Sequence, residues 1–107
     1  MHYYQFNIGD YASHTRGLSL LEDLAYRRLM DEYYLNERPF NGCSTDVARS
    51  IGFLANMDDV EYVLNKYFRF ENDSWVHDDI EKHISEYKIK QEKRSEAGKA
   101  SAESRMN

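Results

Sequence analysis

Between residues 19 and 37 the chain carries apolar residues at helical period. Leu21, Ala25 and Leu29 lie four apart, with Leu24 and Tyr33 beside them, which predicts an amphipathic helix with one broad apolar face. Ser19 followed by Glu22 has the spacing of a capping box, in which the serine oxygen takes a backbone amide and the glutamate reaches back. Glu22 and Asp23 stand in the first turn, where the helix dipole favours negative charge. Pro39 closes the run, because proline disfavours helical geometry in the residue before it. The remaining elements read as smaller pieces packed onto this rod.

Upstream, residues 3–13 alternate irregularly, with Tyr4, Phe6, Ile8 and Tyr11 as candidate buried positions. The expectation is a short strand or extended arm, then a turn through Thr15, Arg16 and Gly17. Downstream, residues 38–42 hold proline and Asn-Gly turn chemistry, with room for a minimal strand at Phe40. A second helix is expected over residues 44–51, capped by Ser44 or Thr45, with Val47, Ala48 and Ile51 on one face and Gly52 as a left-handed cap. A third begins near Asp58 and buries Val60, Val63, Leu64 and Tyr67.

The period then changes. Phe68 and Phe70 alternate with Arg69 and Glu71, Asn72-Asp73-Ser74 turns, and Trp75-Val76-His77 returns, the pattern of a β-hairpin. Asp78 or Asp79 caps a fourth helix carrying Ile80, His83, Ile84 and Tyr87 on one stripe. Past Tyr87 the stripe ends while helix propensity stays high. The predicted organisation is a domain over residues 1–87, including an N-terminal arm, and a polar helical or disordered tail over residues 88–107.

The fold class expected is mainly α with a small β-hairpin (α+β). Helix, helix, glycine-containing turn, helix and hairpin is the order of a winged helix-turn-helix, here with an extended C-terminal helix. In that architecture the third helix commonly enters the major groove, although such modules also serve as protein–protein adaptors.

Composition narrows the classes. At 107 residues the chain suits one domain. Nine Tyr, five Phe and one Trp can fill a small core while keeping hydroxyls at the water boundary. The single Cys43 rules out an internal disulfide and suits a reducing compartment. No apolar run reaches membrane-spanning length, and residues 1–16 lack the apolar core of a signal peptide. The default location is the cytoplasm, with no membrane partner.

Catalysis finds no support in the sequence. His2, His14, His77 and His83 lack zinc-ligand spacing, and Cys43 has no partner cysteine. Glycine-rich phosphate loops and nucleophile elbows are absent. Asp58-Asp59 and Asp78-Asp79 are explained as helix starts. The expectation is a non-enzyme without cofactor or metal.

The net charge of −5 disfavours non-specific polyanion binding, since phosphate neutralisation supplies most of that affinity. The charge is uneven, however. Residues 41–80 hold three Lys/Arg against eight Asp/Glu, whereas residues 81–107 hold seven against five. Lys88, Lys90, Lys93 and Arg94 sit together there. With a screening length of about 8 Å, such a patch acts despite distant acids. Arg16, Arg49, Lys66 and Arg69 are further candidate phosphate contacts. Against them, Asp58, Asp59 and Glu61 crowd the start of the third helix, where carboxylates repel phosphate, and the plain reading has them facing water. Glu86, Glu92 and Glu96 equally allow the tail to be only a solvated helix. Arg27 and Arg28, adjacent on the long helix, cannot share a face, and one is expected to pair with Asp23, Asp31 or Glu32.

The segment YYQFNIGDYASHTRGLSLLEDLAYRRLMDEYYLNERPF closely resembles the opening of the YdaU-like prophage proteins, a family of unknown function found in phages and integrated prophages. DDVEYVLNKYFRFENDSWVHDDIEKHISEY and EKRSEAGKASAESR resemble it too, so the likeness covers residues 3–105. Its members are often encoded near helicase-loader-like genes. The resemblance implies an N-terminal winged-helix DNA-binding module acting in phage replication initiation, within a bacterial host cell. Implied partners are double-stranded DNA and a helicase loader or other replisome protein.

Two classes of function therefore stand. One is a DNA-binding module using the hairpin, the tail cluster and Arg16 or Arg49. The other is an interaction or oligomerisation module of a phage replisome or regulator with little DNA affinity, pairing as a homo-oligomer through the C-terminal helix. Exposed aromatics at Tyr26, Tyr34 or Phe53 would favour the second.

Overall fold

The computed structural model describes the backbone of residues 1–106 and the side chains of residues 1–96. The long helix forms where its periodicity predicts it, as α2 (Leu20–Asn36). Both halves of the capping box are made: Ser19 Oγ accepts from the Glu22 N–H at 3.2 Å, and Glu22 Oε1 accepts from the Ser19 N–H at 2.8 Å. At the far end Glu37 takes a left-handed conformation (φ 55°) and its N–H donates to the Tyr33 carbonyl at 2.8 Å. The stop therefore lies two residues ahead of Pro39.

The buried face of α2 is turned from the one its leucines suggest. Ala25, Tyr26, Leu29, Tyr33 and Tyr34 are buried, whereas Leu21 and Leu24 are 43% and 45% exposed. Rings explain the rotation. Tyr26 and Tyr34 are larger than the leucines and find ring partners on their side of the helix, so burial of aromatic area decides which stripe faces inward.

The N-terminal segment is also different from its expectation. Residues 1–7 are irregular, but α1 (Ile8–Thr15) replaces the expected strand or arm over residues 8–13. Asn7 caps it through its side chain, accepting from the Asp10 N–H at 3.0 Å. An acid in the first turn and His14 in the last complement the helix dipole. These signals were masked by the irregular aromatic spacing. Ile8 is 75% exposed, while Tyr4, Phe6 and Tyr11 are half-buried.

Beyond α2 come the two-residue β1 (Phe40–Asn41) and α3 (Ser44–Ser50), whose N-cap position is held by Cys43, with no side-chain cap bond, rather than by Ser44 or Thr45. Gly52 has φ 76°, the left-handed geometry expected of it. A short 3-10 turn, Leu54–Asn56, leads into α4 (Met57–Tyr67), which buries Val60, Val63 and Leu64. β2 (Arg69–Glu71) and β3 (Ser74–Val76) then make the hairpin. Asn72 and Asp73 at φ 51° and 58° give the turn both positive dihedrals of a type I′ connection, whose twist matches that of the strands. β1 joins the far side of β3, so the sheet is antiparallel in the order β1-β3-β2, with Phe40 opposite Trp75.

α5 (Asp78–Met106) is one continuous helix. Ile80 and Ile84 lock its first turns into the core with α2, α3 and α4. The fold is thus mainly helical with a small three-stranded sheet and a long C-terminal helix. Among the described residues no helix is long and apolar enough to cross a membrane.

Candidate nucleic-acid interface

The exposed surface of α4 is acidic at one end and basic at the other. Asp58 and Asp59 occupy its first turn. Glu61 is exposed and accepts a hydrogen bond from Ser44 Oγ at 2.9 Å, which ties it to the start of α3. Lys66 lies in the last turn with its ammonium 5.7 and 5.5 Å from the Tyr62 and Tyr67 ring centroids, a cation–π placement that holds the charge at the surface. Arg49 is exposed on the last turn of α3, and Arg16 is exposed at the end of α1.

On the hairpin, Arg69 is engaged. Its guanidinium pairs with Glu71 on its own strand and with Asp78 at 3.1 Å. Both pairs are exposed, so water and salt screen them and they exchange readily.

The tail cluster divides. At 100° per residue, Lys90 and Arg94 fall on the helix face that carries His83 and Tyr87, whereas Lys88 and Lys93 point to other sides. That face borders a groove of about 510 Å³ whose opposite wall is the N-terminal segment, with Tyr3, Tyr4 and Gln5. Tyr34 of α2 forms part of the floor. The Tyr4 ring stacks on Tyr34 at 4.0 Å between centroids and 6° between planes. The Tyr34 hydroxyl meets His83 Nδ1 at 2.7 Å, and burial, with Asp79 adding to it, pushes the Tyr34 pKa up to about 12.

Several residues carry more than the sequence suggested. His77, expected as a hairpin residue, is buried and stands directly ahead of α5. Its Nδ1 accepts from the Ile80 N–H at 3.3 Å, which makes it the side-chain cap of that helix, and its Nε2 faces the Tyr26 hydroxyl at 2.9 Å. The signal was the acid pair itself: if Asp78 and Asp79 fill the first turn, the cap must lie one residue earlier. Neither Arg27 nor Arg28 pairs with Asp23, Asp31 or Glu32. Arg27 lies over the Phe6 ring at 4.2 Å, and Arg28 donates to the Ile51 carbonyl at 3.2 Å beside Phe53. The two acids instead accept from tyrosines, Asp31 from Tyr4 and Asp23 from Tyr11. Tyr26, Tyr34 and Phe53 are all buried, so the aromatic exposure that would mark a protein-docking face is not found at those positions. Among the described residues no group of three His, Cys, Asp or Glu is placed to hold a metal ion.

Comparison with known proteins adds a family. The family model described as Protein of unknown function (DUF1376) matches residues 2–85. The chain is also 35% identical to an uncharacterized protein, YdaU, of Escherichia coli (strain K12). That match takes in 98% of this chain and 36% of the relative, so the chain spans about a third of that protein's length. No solved structure matches it.

Proposed function

The chain belongs to the DUF1376 family of proteins of unknown function, and from that premise we propose that it is the double-stranded DNA-binding module of a phage or prophage replication initiation protein, without catalytic activity. The observation that carries this reading is topological. α2, β1, α3, α4, β2 and β3 follow one another with the strands ordered β1-β3-β2. That succession is the one expected of a winged helix-turn-helix, with α4 as the helix offered to the major groove and the β2–β3 hairpin as the wing. Residues 1–87 would form this module, and residues 88–107 a polar extension. Arg49, Lys66 and Arg69 lie on its α3, α4 and wing elements, and Lys88 and Lys93 add exposed charge on α5. A helicase loader or another replisome protein is the protein partner this role calls for.

A second reading draws on the acids. Asp58 and Asp59 stand at the end of α4 that would approach base edges, and Arg69 is held by Glu71 and Asp78. Both features suit an interaction or oligomerisation module with little affinity for DNA. Fluorescence anisotropy of the full chain with labelled duplexes across a salt series separates the two. The DNA reading expects affinity that falls with salt at a log–log slope of about 0.9 per neutralised phosphate, and loss of binding in Arg49→Glu/Lys66→Glu. Absence of duplex binding at low salt, together with a mass that rises with concentration, decides for the second.

A further inference from the structure

We propose that the groove between the N-terminal segment and α5 binds single-stranded nucleic acid, a site distinct from the α4 and hairpin surfaces on which the duplex reading rests. Three features of the groove point to that ligand. Its floor is aromatic: Tyr4, Tyr34 and His83 form a series of near-parallel rings, 6° and 11° apart in successive planes. Its rim carries Tyr3, which is 90% exposed and makes no ring contact among the described residues. Its α5 wall carries Lys90 and Arg94 one turn apart, about 6 Å along the helix axis. Aromatic platforms next to a file of cations are the means by which proteins hold one strand, stacking its bases and following its phosphates.

The pairing of these features favours a single strand over a duplex. Stacking on Tyr3 needs a base with a free face, which a strand offers and a double helix does not. The acids that also line the groove, Asp10 and Glu86, repel phosphate but accept from base amino groups, so they suit a ligand whose bases as well as phosphates enter. Asn7 and Gln91 add amide donors and acceptors along the same walls. The site needs nothing from the winged-helix reading, and either can fail alone.

The test uses the full chain at low salt with fluorescein-labelled oligo(dT) and oligo(U) of 15 nucleotides, and a duplex of the same length, followed by anisotropy. Saturable binding of either strand is expected. Tyr3→Ala should weaken it by roughly 5- to 150-fold, the range for losing one stacked base, and leave duplex affinity unchanged. Tyr3 is at the surface, so this variant does not threaten folding. Lys90→Gln/Arg94→Gln should lower the salt slope for the strand by about 1.4, at roughly 0.7 per phosphate. No saturable binding of either strand, a Tyr3→Ala protein that binds as tightly as the parent, or equal weakening of strand and duplex would each overturn the proposal.

Discussion

The Tyr26 hydroxyl and His77 Nε2 lie 2.9 Å apart inside the protein, 51 residues distant in sequence. Because His77 Nδ1 accepts from the Ile80 N–H, the ring's proton sits on Nε2, which donates to Tyr26. One neutral imidazole thus joins α2 to the hairpin's exit and caps α5.

Protonation of His77 would place a second proton on Nδ1, against the Ile80 N–H, and remove the cap. Burial lowers the His77 pKa, with Asp79 and Asp78 opposing that shift. The sign follows from linkage: below the ordinary value of 6.5 the unfolded chain takes up the proton first, so stability falls as pH falls through that value towards the folded pKa. Thermal unfolding from pH 7.5 to 5 should show the decline. His77→Asn retains a capping side chain without a titrating group, and its melting temperature should vary less over the same range. An equal decline in both proteins would assign the effect to groups other than His77.

Tyr33 holds the same junction from the other side. Its hydroxyl donates to Glu81 Oε1 at 2.6 Å and accepts from the His77 N–H at 3.3 Å. Tyr33→Phe removes both bonds, keeps the ring, and leaves a buried N–H unpaired. The expected cost is about 1–3 kcal/mol, read by urea denaturation at pH 7. A loss below about 0.5 kcal/mol would mean that the hydroxyl is dispensable to the junction.

Local signals made most elements legible. The Ser19–Glu22 box, the Val60–Val63–Leu64 stripe and the Asn72-Asp73 turn each depend on residues within four positions of one another, and each forms, although Ser74, read into the turn, opens β3 and Tyr67, read into the stripe, is only half-buried. What stayed hidden depends on distance in sequence. That Leu24 faces outward while Tyr34 is buried follows from Tyr4 and His83, 30 and 49 residues from Tyr34. The same holds for the candidate sites. Lys90 and Arg94 were visible as charges, but the tyrosine wall opposite them comes from residues 3 and 4. Arg69 was visible as a wing cation, and its engagement by Asp78 required the strand and the helix start to meet.

The hairpin turn offers a gain in stability. Asn72 and Asp73 both adopt positive φ, which costs an L residue energy that glycine does not incur. Asp73→Gly yields the Asn-Gly pair favoured in type I′ turns, while the backbone bond from the Gly42 N–H to the residue 73 carbonyl, 3.0 Å long, remains available. The expectation is stabilisation by up to about 1 kcal/mol, seen as a higher urea midpoint with an unchanged m-value. A lower midpoint would show that the Asp73 side chain contributes more than its backbone strain costs.

Arg69 decides how the β2–β3 hairpin would meet a phosphate. It is half-exposed and shared between Glu71 and Asp78, so two exposed carboxylates compete with any phosphate for its guanidinium. Glu71→Gln removes one of the two carboxylates without touching the start of α5, where Asp78 also serves the helix dipole. If the wing follows a DNA backbone, the freed guanidinium should tighten duplex binding several-fold at low salt and steepen the log–log salt slope by up to about 0.9, one phosphate's worth. Arg69→Ala in the same background should remove the gain, which separates a direct contact from a general change in net charge. If Glu71→Gln and the double variant bind duplex alike, the gain belongs to net charge. If neither binds at all, the hairpin has no phosphate to meet.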